Sequence, residues 1–305
     1  SNPASARSGK RVAVLFDSIP PFLFALIAAF LLAVGGQLVY IGLSTVESRS
    51  GTMVSITTSA VIYWSLSPFL LDWSHWSQPA VLLFALAGLI RPSVSANLSV
   101  AGIRLLGPTM SSTLSSPAPI FGAALGVFWL GETLTWPIAI GTGGVITAIV
   151  LLSQKDTRAP STWPLWALAL PVGAAAVRSL AHVLSKMGME DIPDPYFVCL
   201  VGFSVSAILT ILNQFMRKKS VAIQWRNKGF YFFIASGFFF STAILCLNTA
   251  LLRGQVVSII PIIAAAPMFS MLLSIFIFRR EKLTARTVFA VFLVVPSVAY
   301  IAISK

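Results

Sequence analysis

Apolar stretches about as long as a lipid bilayer is thick occupy most of this chain. Hydrophobic residues make up 57% of it and charged residues only 10%, and the mean hydropathy is +0.88. Soluble domains carry about 25% charged residues. Because backbone groups in lipid need internal hydrogen bonds, such stretches are expected to form helices rather than open sheets. The sequence therefore predicts an all-α integral membrane protein.

Ten stretches come close to the roughly 20 residues that cross a bilayer as a helix. The predicted transmembrane helices are residues 22–43, 51–71, 80–103, 107–130, 135–153, 163–186, 195–216, 229–252, 255–278 and 285–303. Tryptophans lie at or beside several of these ends. Their indole rings favour the headgroup region of a membrane, which supports the limits independently of hydropathy.

A helix ending occurs twice in the chain. Residues 128–135 end in Gly-Glu-Thr-Leu-Thr, and residues 277–284 end in Arg-Glu-Lys-Leu-Thr, with Glu132 and Glu281 separated by 149 positions. Gly88 and Gly237 share the same offset. Because five predicted spans make up each half, the second half must enter the membrane with the opposite polarity. The sequence predicts a tail over 1–20 and two inverted five-helix repeats, 21–155 and 156–305, the plan of many secondary transporters.

These residues resemble the EamA-type family of the drug/metabolite transporter superfamily. The resemblance rests on the ten spans and on the Leu-Gly-Glu-Thr-Leu-Thr ending at 130–135, which the second half replaces in part by Arg279-Arg280. It covers the chain from about Phe22 to Ser304. It implies secondary transport of small metabolites, commonly export of amino acids or related compounds, through a central cavity between the halves. It also implies a multi-pass protein of the bacterial inner (plasma) membrane with both termini in the cytoplasm.

The charges of the loops leave the orientation open. If the N-terminus is cytoplasmic, six basic residues lie on that side and thirteen on the other, which favours the reverse orientation. The flanks of the first span, with three basic residues before it and Arg49 after it, favour a cytoplasmic N-terminus. The net charge of +12 lies mostly beside the spans, so membrane lipids and not nucleic acid are the expected partners.

Two arginines lie inside predicted spans, whereas all nine acidic residues lie in the tail, in loops or at span ends. A central arginine costs at least ~2.5–3.5 kcal/mol on insertion scales, so Arg91 and Arg178 should face a cavity or a partner. One hypothesis is that they bind an anionic group of the substrate. The alternative is a structural arginine that binds helix carbonyls or snorkels to the interface.

Other polar or aromatic residues within spans complete the predicted substrate site. His182 follows Arg178 by one helical turn and could exchange protons or simply hold a local hydrogen bond. Asn248 could bind substrate or a neighbouring helix. The predicted substrate-binding set is Arg91, Arg178, Ser95, Gln37, Tyr40, His182, Asn248 and Trp64.

No pattern of catalytic or metal-binding residues is present in the sequence. His75 and His182 are far apart, and the two cysteines, Cys199 and Cys246, lie in apolar spans as small hydrophobes. We therefore predict no catalytic residue, no metal and no cofactor. The predicted function is a secondary transporter, an exporter of small anionic or zwitterionic metabolites such as amino acids, working by alternating access. A passive channel and a membrane-embedded enzyme remain alternatives, and the sequence does not predict the oligomeric state.

Overall fold

The computed structural model describes residues 19–95, 98, 105, 114–153, 165–216, 227–279 and 285–303. Within these ranges every regular element is a helix, and no strand occurs. The predicted all-α fold class is therefore confirmed.

The α-helices of the described ranges are numbered here in chain order. They are α1 (Pro21–Gly42), α2 (Ser48–Leu70), α3 (Val81–Gly88), α4 (Ala118–Leu130), α5 (Trp136–Ser153), α6 (Ala169–Asp191), α7 (Pro195–Phe215), α8 (Gly229–Arg253), α9 (Val256–Ile263), α10 (Ala266–Phe276) and α11 (Ala285–Ile303). Two 3₁₀ turns, Trp73–Ser77 and Leu165–Leu168, precede α3 and α6, and a π-helical turn, Leu89–Val94, follows α3.

Within the described ranges, six stretches are long and apolar enough to cross a membrane: α1, α2, α6, α7, α8, and α9 taken together with α10. Shorter apolar helices, α3, α4, α5 and α11, occupy the other four predicted spans. The chain is therefore a multi-pass membrane protein, while the count of ten spans stays a prediction.

Two predicted spans are less regular than expected. The third, predicted as 80–103, is α-helical as far as Gly88, continues as the π-helical turn Leu89–Val94, and is α-helical again at Ser95. The ninth is divided into α9 and α10 at Ala264 and Ala265. Pro267 explains this division, because it has no N–H to donate to the carbonyl of Ile263, four residues earlier. In the fourth span residues 114–115 are helical, residues 116–117 form a turn, and α4 begins at Ala118, directly after Pro117.

The two halves interlock along equivalent helices. Helix α1 of the first half packs against α8 of the second. The equivalent helix of the second half, α6, packs against α3 of the first. Likewise α2 contacts α8 while α7 contacts α3, and α1 contacts α10 while α6 contacts α4. Each of these helices packs against the opposite repeat, and each contact has a counterpart between the equivalent helices, as a duplicated chain requires.

One end of the bundle collects most of the acidic residues that the structure describes. His75, just after α2, lies 3.6 Å from Asp194 at the start of α7, and Glu132, just after α4, binds the start of α9. Thus α2 ends where α7 begins, and α4 ends where α9 begins. These repeat partners run in opposite directions, as an inverted repeat requires. We call this end, with Asp72, Glu132, Glu190, Asp191 and Asp194, the acidic end.

The repeated glycines bring helices into backbone contact across the two halves. A Cβ on Gly88 would lie 2.8 Å from the carbonyl oxygen of Gly202, and a Cβ on Gly237 would lie 2.5 Å from that of Ser55. Because the obstacle in both cases is backbone, neither site can accept a side chain without separating two helices. The offset of 149 residues thus marks the same close approach in each repeat.

Gly88→Ala and Gly237→Ala should each destabilise the fold by about 1–3 kcal/mol, because the added methyl group overpacks a backbone contact. Thermal unfolding of the detergent-solubilised protein measures the effect. Gly143→Ala is the matched control, since no atom lies within 4 Å of the added Cβ there. Equal melting temperatures for all three variants would contradict this packing argument.

Candidate functional site

The centre of the site is a break in the third span at Arg91. This residue has φ −130° and ψ 128°, which is extended backbone within a helical stretch. Arg91 precedes Pro92, and a proline ring disfavours the helical conformation of the residue before it. The break leaves carbonyls without their helical partners. The Ser206 hydroxyl of α7 lies 2.8 Å from the Gly88 oxygen and 3.1 Å from the Arg91 oxygen, so both carbonyls have a donor within reach.

A cavity of about 370 Å³ lies beside this break. Helices α1, α2, α3, α6, α7 and α8 contribute its walls, so it is formed by both repeats. Its size falls within the range of small-molecule sites, about 300–1,000 Å³. Phe84, Phe203 and Phe240 lie among the apolar lining residues, and Arg91, His182 and Asn248 are the polar groups with nitrogen donors.

The Arg91 guanidinium faces the imidazole of His182 across the cavity wall. Its Nη1 lies 3.2 Å from both Nδ1 and Nε2 of the ring. A single in-plane hydrogen bond would bring one ring nitrogen much closer than the other, so the ring supports the guanidinium without occupying its other N–H groups. No Asp or Glu lines the cavity among the residues that the structure describes. The cavity therefore carries an uncompensated positive charge.

The serines of the cavity use their hydroxyl hydrogens inside the protein. Ser59 donates to Gly237 O over 2.8 Å, and Ser185 donates to Ala181 O over 3.0 Å. The Ser236 hydroxyl donates to Phe233 O over 2.8 Å. In the 3.0 Å hydrogen bond between Ser55 and Ser236, the Ser55 hydroxyl is therefore the donor. These hydroxyls can still accept hydrogen bonds but have no hydrogen left to donate. Donors for a bound molecule therefore concentrate at Arg91.

An aromatic layer separates the cavity from the acidic end. It consists of Tyr63, Phe84, Tyr196 and Phe197, all of them buried. The Tyr196 hydroxyl donates to Tyr63 O, and the Tyr63 hydroxyl donates to Ser241 O over 2.8 Å. The rings of Tyr63 and Tyr196 meet edge to face at 5.4 Å, and those of Phe84 and Phe197 at 6.1 Å. Hydrogen bonds and ring packing thus close the cavity on this side.

Two acidic residues flank His75 on the outer side of the aromatic layer. Asp194 caps α7 by accepting from the Tyr196 and Phe197 amides, and its other oxygen lies 3.6 Å from His75. Asp72 accepts hydrogen bonds from the backbone N–H and the hydroxyl of Ser74, which lower the pKa of its exposed carboxyl. The connection before α3 is thereby tied to the start of α7.

The cavity lining comes close to the helix ends on both sides: at the acidic end Val198 lies three residues after α7 begins, and the opposite end is similar. There Thr52 belongs to the lining and lies only four residues after α2 begins, about 6 Å along the helix axis. Val39 lies equally close to the end of α1. What distinguishes the acidic end is the layer of buried aromatic rings that lies over the cavity there.

The structure brings three of the predicted site residues together and places the others elsewhere. Arg91, His182 and Asn248 line the cavity. Ser95 is buried one turn beyond the break, and Arg178 is partly buried on α6, one turn before His182; neither is part of the lining.

Gln37, Tyr40 and Trp64 are also outside the cavity lining. The Gln37 amide donates to the backbone oxygen and the hydroxyl of Ser270, both at 3.0 Å, and so joins α1 to α10. Tyr40 is 65% exposed on the outer surface. The Trp64 indole donates to Ser204 over 2.8 Å and stacks on Trp76. Each of these side chains points away from the cavity because the other face of its helix forms the lining.

Sequence reasoning missed the aromatic and hydroxyl parts of the site. Nothing in the sequence distinguishes Phe84, Phe203 and Phe240 from the many phenylalanines that face lipid. Ser55 and Ser206 carried a weak signal, because polar residues inside a span are expected to face protein or water.

The comparison with known families agrees with this architecture. The EamA-like transporter family matches residues 19–154 and again residues 165–303. The chain belongs to the EamA-like transporter family, in two repeated halves, consistent with the drug/metabolite transporter superfamily. No curated protein matches the chain.

Solved structures support the same fold. Among 29 matching chains, one crystal structure of a protein aligns with a TM-score of 0.77 over 92% of this chain and 95% of that chain. Only 18% of the aligned residues are identical, so the likeness concerns the fold and not the substrate.

Ser206→Ala should destabilise the protein by about 1–3 kcal/mol, because it leaves the carbonyls at the Arg91 break without their donor. Thermal unfolding in detergent measures the loss. Ser65→Ala serves as the control, since Ser65 is exposed and donates only within its own helix, to Val61 O. If both variants melt at the same temperature, Ser206 does not support the break.

Proposed function

We propose that this protein is a secondary transporter that carries small amphipathic anions or zwitterions, such as amino acids, through the cavity at Arg91. The observation that carries the proposal is the arginine itself: its guanidinium faces a cavity in which no described carboxylate balances its charge. Membership in the EamA-like transporter family supports transport as the activity.

An anionic substrate group would supply the missing charge. A guanidinium presents its N–H groups as a planar fork that matches the two oxygens of a carboxylate or phosphate. His182 would orient this fork, since its ring lies against Nη1. Asn248 would add a weaker polar contact, because one of its amide hydrogens points to Cys199 Sγ at 3.2 Å and the other remains for a ligand.

The rest of the cavity suits an apolar or aromatic substrate group. Phe84, Phe203 and Phe240 lie in its wall together with aliphatic side chains. The serine hydroxyls have no hydrogen left to donate, so a strongly hydrated anion such as a sugar phosphate would lose more hydrogen bonds than it gains. This contrast favours a carboxylate with an apolar body.

The closed acidic end favours a carrier over a passive channel. A channel needs an open path at both ends, whereas four buried aromatic rings lie between the cavity and the acidic end. In alternating access the layer would part when the opposite end closes. Export across a bacterial inner membrane, the direction and place that the family resemblance implies, is part of the proposal.

Matched ligands test the anion site directly. Benzoate has a carboxylate that benzyl alcohol lacks, and phenylalanine has one that phenylalaninamide lacks. We expect only the carboxylates to raise the melting temperature of the purified protein. Arg91→Gln should weaken their binding by about 10- to 100-fold, because a hydrogen bond to a charged group contributes about 1.5–3 kcal/mol.

Arg49→Gln is the control for this substitution. It removes the same charge from an exposed position at the start of α2, outside the cavity. Unchanged carboxylate affinity in folded Arg91→Gln protein would contradict the anion site. Saturable flux with counterflow in proteoliposomes would support a carrier, and linear flux without counterflow would indicate a channel.

A further inference from the structure

The repeated helix ending contributes Glu132 to a buried ion pair with Lys186 of α6, which the proposed site does not use. Glu132 Oε1 lies 3.8 Å from Lys186 Nζ, and the side chains are only 6% and 19% exposed, respectively. The ending reaches this position because Gly131 adopts φ 67°, a left-handed conformation that ends α4 and turns the chain back. The carboxylate then lies against Gly126, where a Cβ would be 2.8 Å from Oε2.

Both members of the pair also bind the ends of helices in the second repeat. The Glu132 carboxylate accepts from the Val256 amide over 2.8 Å and from the Val257 amide over 2.9 Å, at the start of α9. Those amides have no partner within their own helix, and the helix dipole favours a negative charge there. Lys186 donates to Leu251 O over 2.8 Å and to Gly254 O, at the end of α8. Four helices, α4, α6, α8 and α9, therefore meet at one ion pair.

The pair is connected to both the cavity and the aromatic layer. Lys186 lies one turn beyond His182 on α6, and Leu251 lies close to Asn248 on α8. Two residues beyond Lys186, Gly188 receives the Phe84 ring so closely that no Cβ fits there. A movement of α6 at Lys186 would therefore remove the surface that holds Phe84 in the layer.

We propose that Glu132 and Lys186 form a latch that keeps the acidic end closed and separates in each transport cycle. The proposal rests on the proposed transport function. The physical basis is hydration: water that enters the opened acidic end can solvate both charges, whereas in the closed state each charge depends on the other. Removing one partner leaves the second buried and uncompensated, which penalises the closed state and not the open one.

Cys199 provides a reporter within the chain. It is buried, lines the cavity and lies two residues after Phe197 of the aromatic layer. In a Cys246→Ser background it is the remaining cysteine of the chain. A membrane-impermeant methanethiosulfonate reagent added to one side of sealed vesicles then measures access to the cavity from that side. Glu190→Cys, in a background without the two native cysteines, identifies which side is the acidic end, because Glu190 is exposed there.

Glu132→Gln and Lys186→Met should each accelerate Cys199 labelling from the acidic end by about tenfold or more. The double variant should not exceed the faster single variant by more than about twofold, because the two changes remove the same contact. Glu190→Gln is the matched control: it removes a carboxylate at the same end, one turn beyond Lys186, and should leave the labelling rate unchanged.

Unchanged labelling in folded Glu132→Gln and Lys186→Met protein would overturn the latch, and so would an equal acceleration by Glu190→Gln. If neither variant gives a monodisperse protein, the pair is a folding requirement and the latch is likewise rejected. The test needs no substrate, so its result is independent of the carboxylate binding at Arg91. An effect of the latch variants with no effect of Arg91→Gln would reject the anion site alone.

Discussion

A backbone N–H or carbonyl inside a bilayer has no water to bind. At the helix breaks described here, side chains from other parts of the chain form hydrogen bonds with the freed backbone groups. Ser206 of α7 serves the carbonyls at the Arg91 break. Glu132, after α4, serves the free amides of α9. In both cases the side chain and the break belong to different repeats. Each of these two interruptions is therefore also a polar contact between the halves.

This arrangement would let a largely apolar chain have the two distinct packings that the proposed transport cycle requires. Apolar helix faces slide with little change in energy because lipid and protein side chains are similarly apolar. Hydrogen bonds to broken helix ends are directional and are lost or kept as units. The contacts at Ser206 and Glu132 thus favour discrete positions of one repeat against the other, and the glycines at 88 and 237 bring the backbones close enough for such contacts to form.

The sequence predicted features that depend on local chemistry. Hydropathy and the 149-residue offset predicted the helices and their duplication, and Arg91 was a candidate because a charge inside a span requires a cavity or a partner. The partner of the carbonyls at the Arg91 break, Ser206, is distant in sequence and could not be predicted. The orientation of Tyr40 and Trp64 could not be predicted, since an aromatic ring suits lipid, protein and cavity alike. Glu132 was assigned to the membrane edge, and its reach to α9 depends on the turn at Gly131 together with the packing of α4 on α9.

The positions of the charges suit a link between the proposed substrate site and the proposed latch. His182 and Lys186 are one turn apart on α6, and Asn248 and Leu251 are similarly close on α8. The two helices that contribute His182 and Asn248 to the cavity are therefore the same two that Lys186 joins through its bonds to the α8 carbonyls. In the proposed function, a substrate that draws α6 and α8 together around its anion would change the distance from Lys186 to the α8 carbonyls. Binding in the cavity would then act on the acidic end through α6 and α8, without a contact between the substrate and the latch.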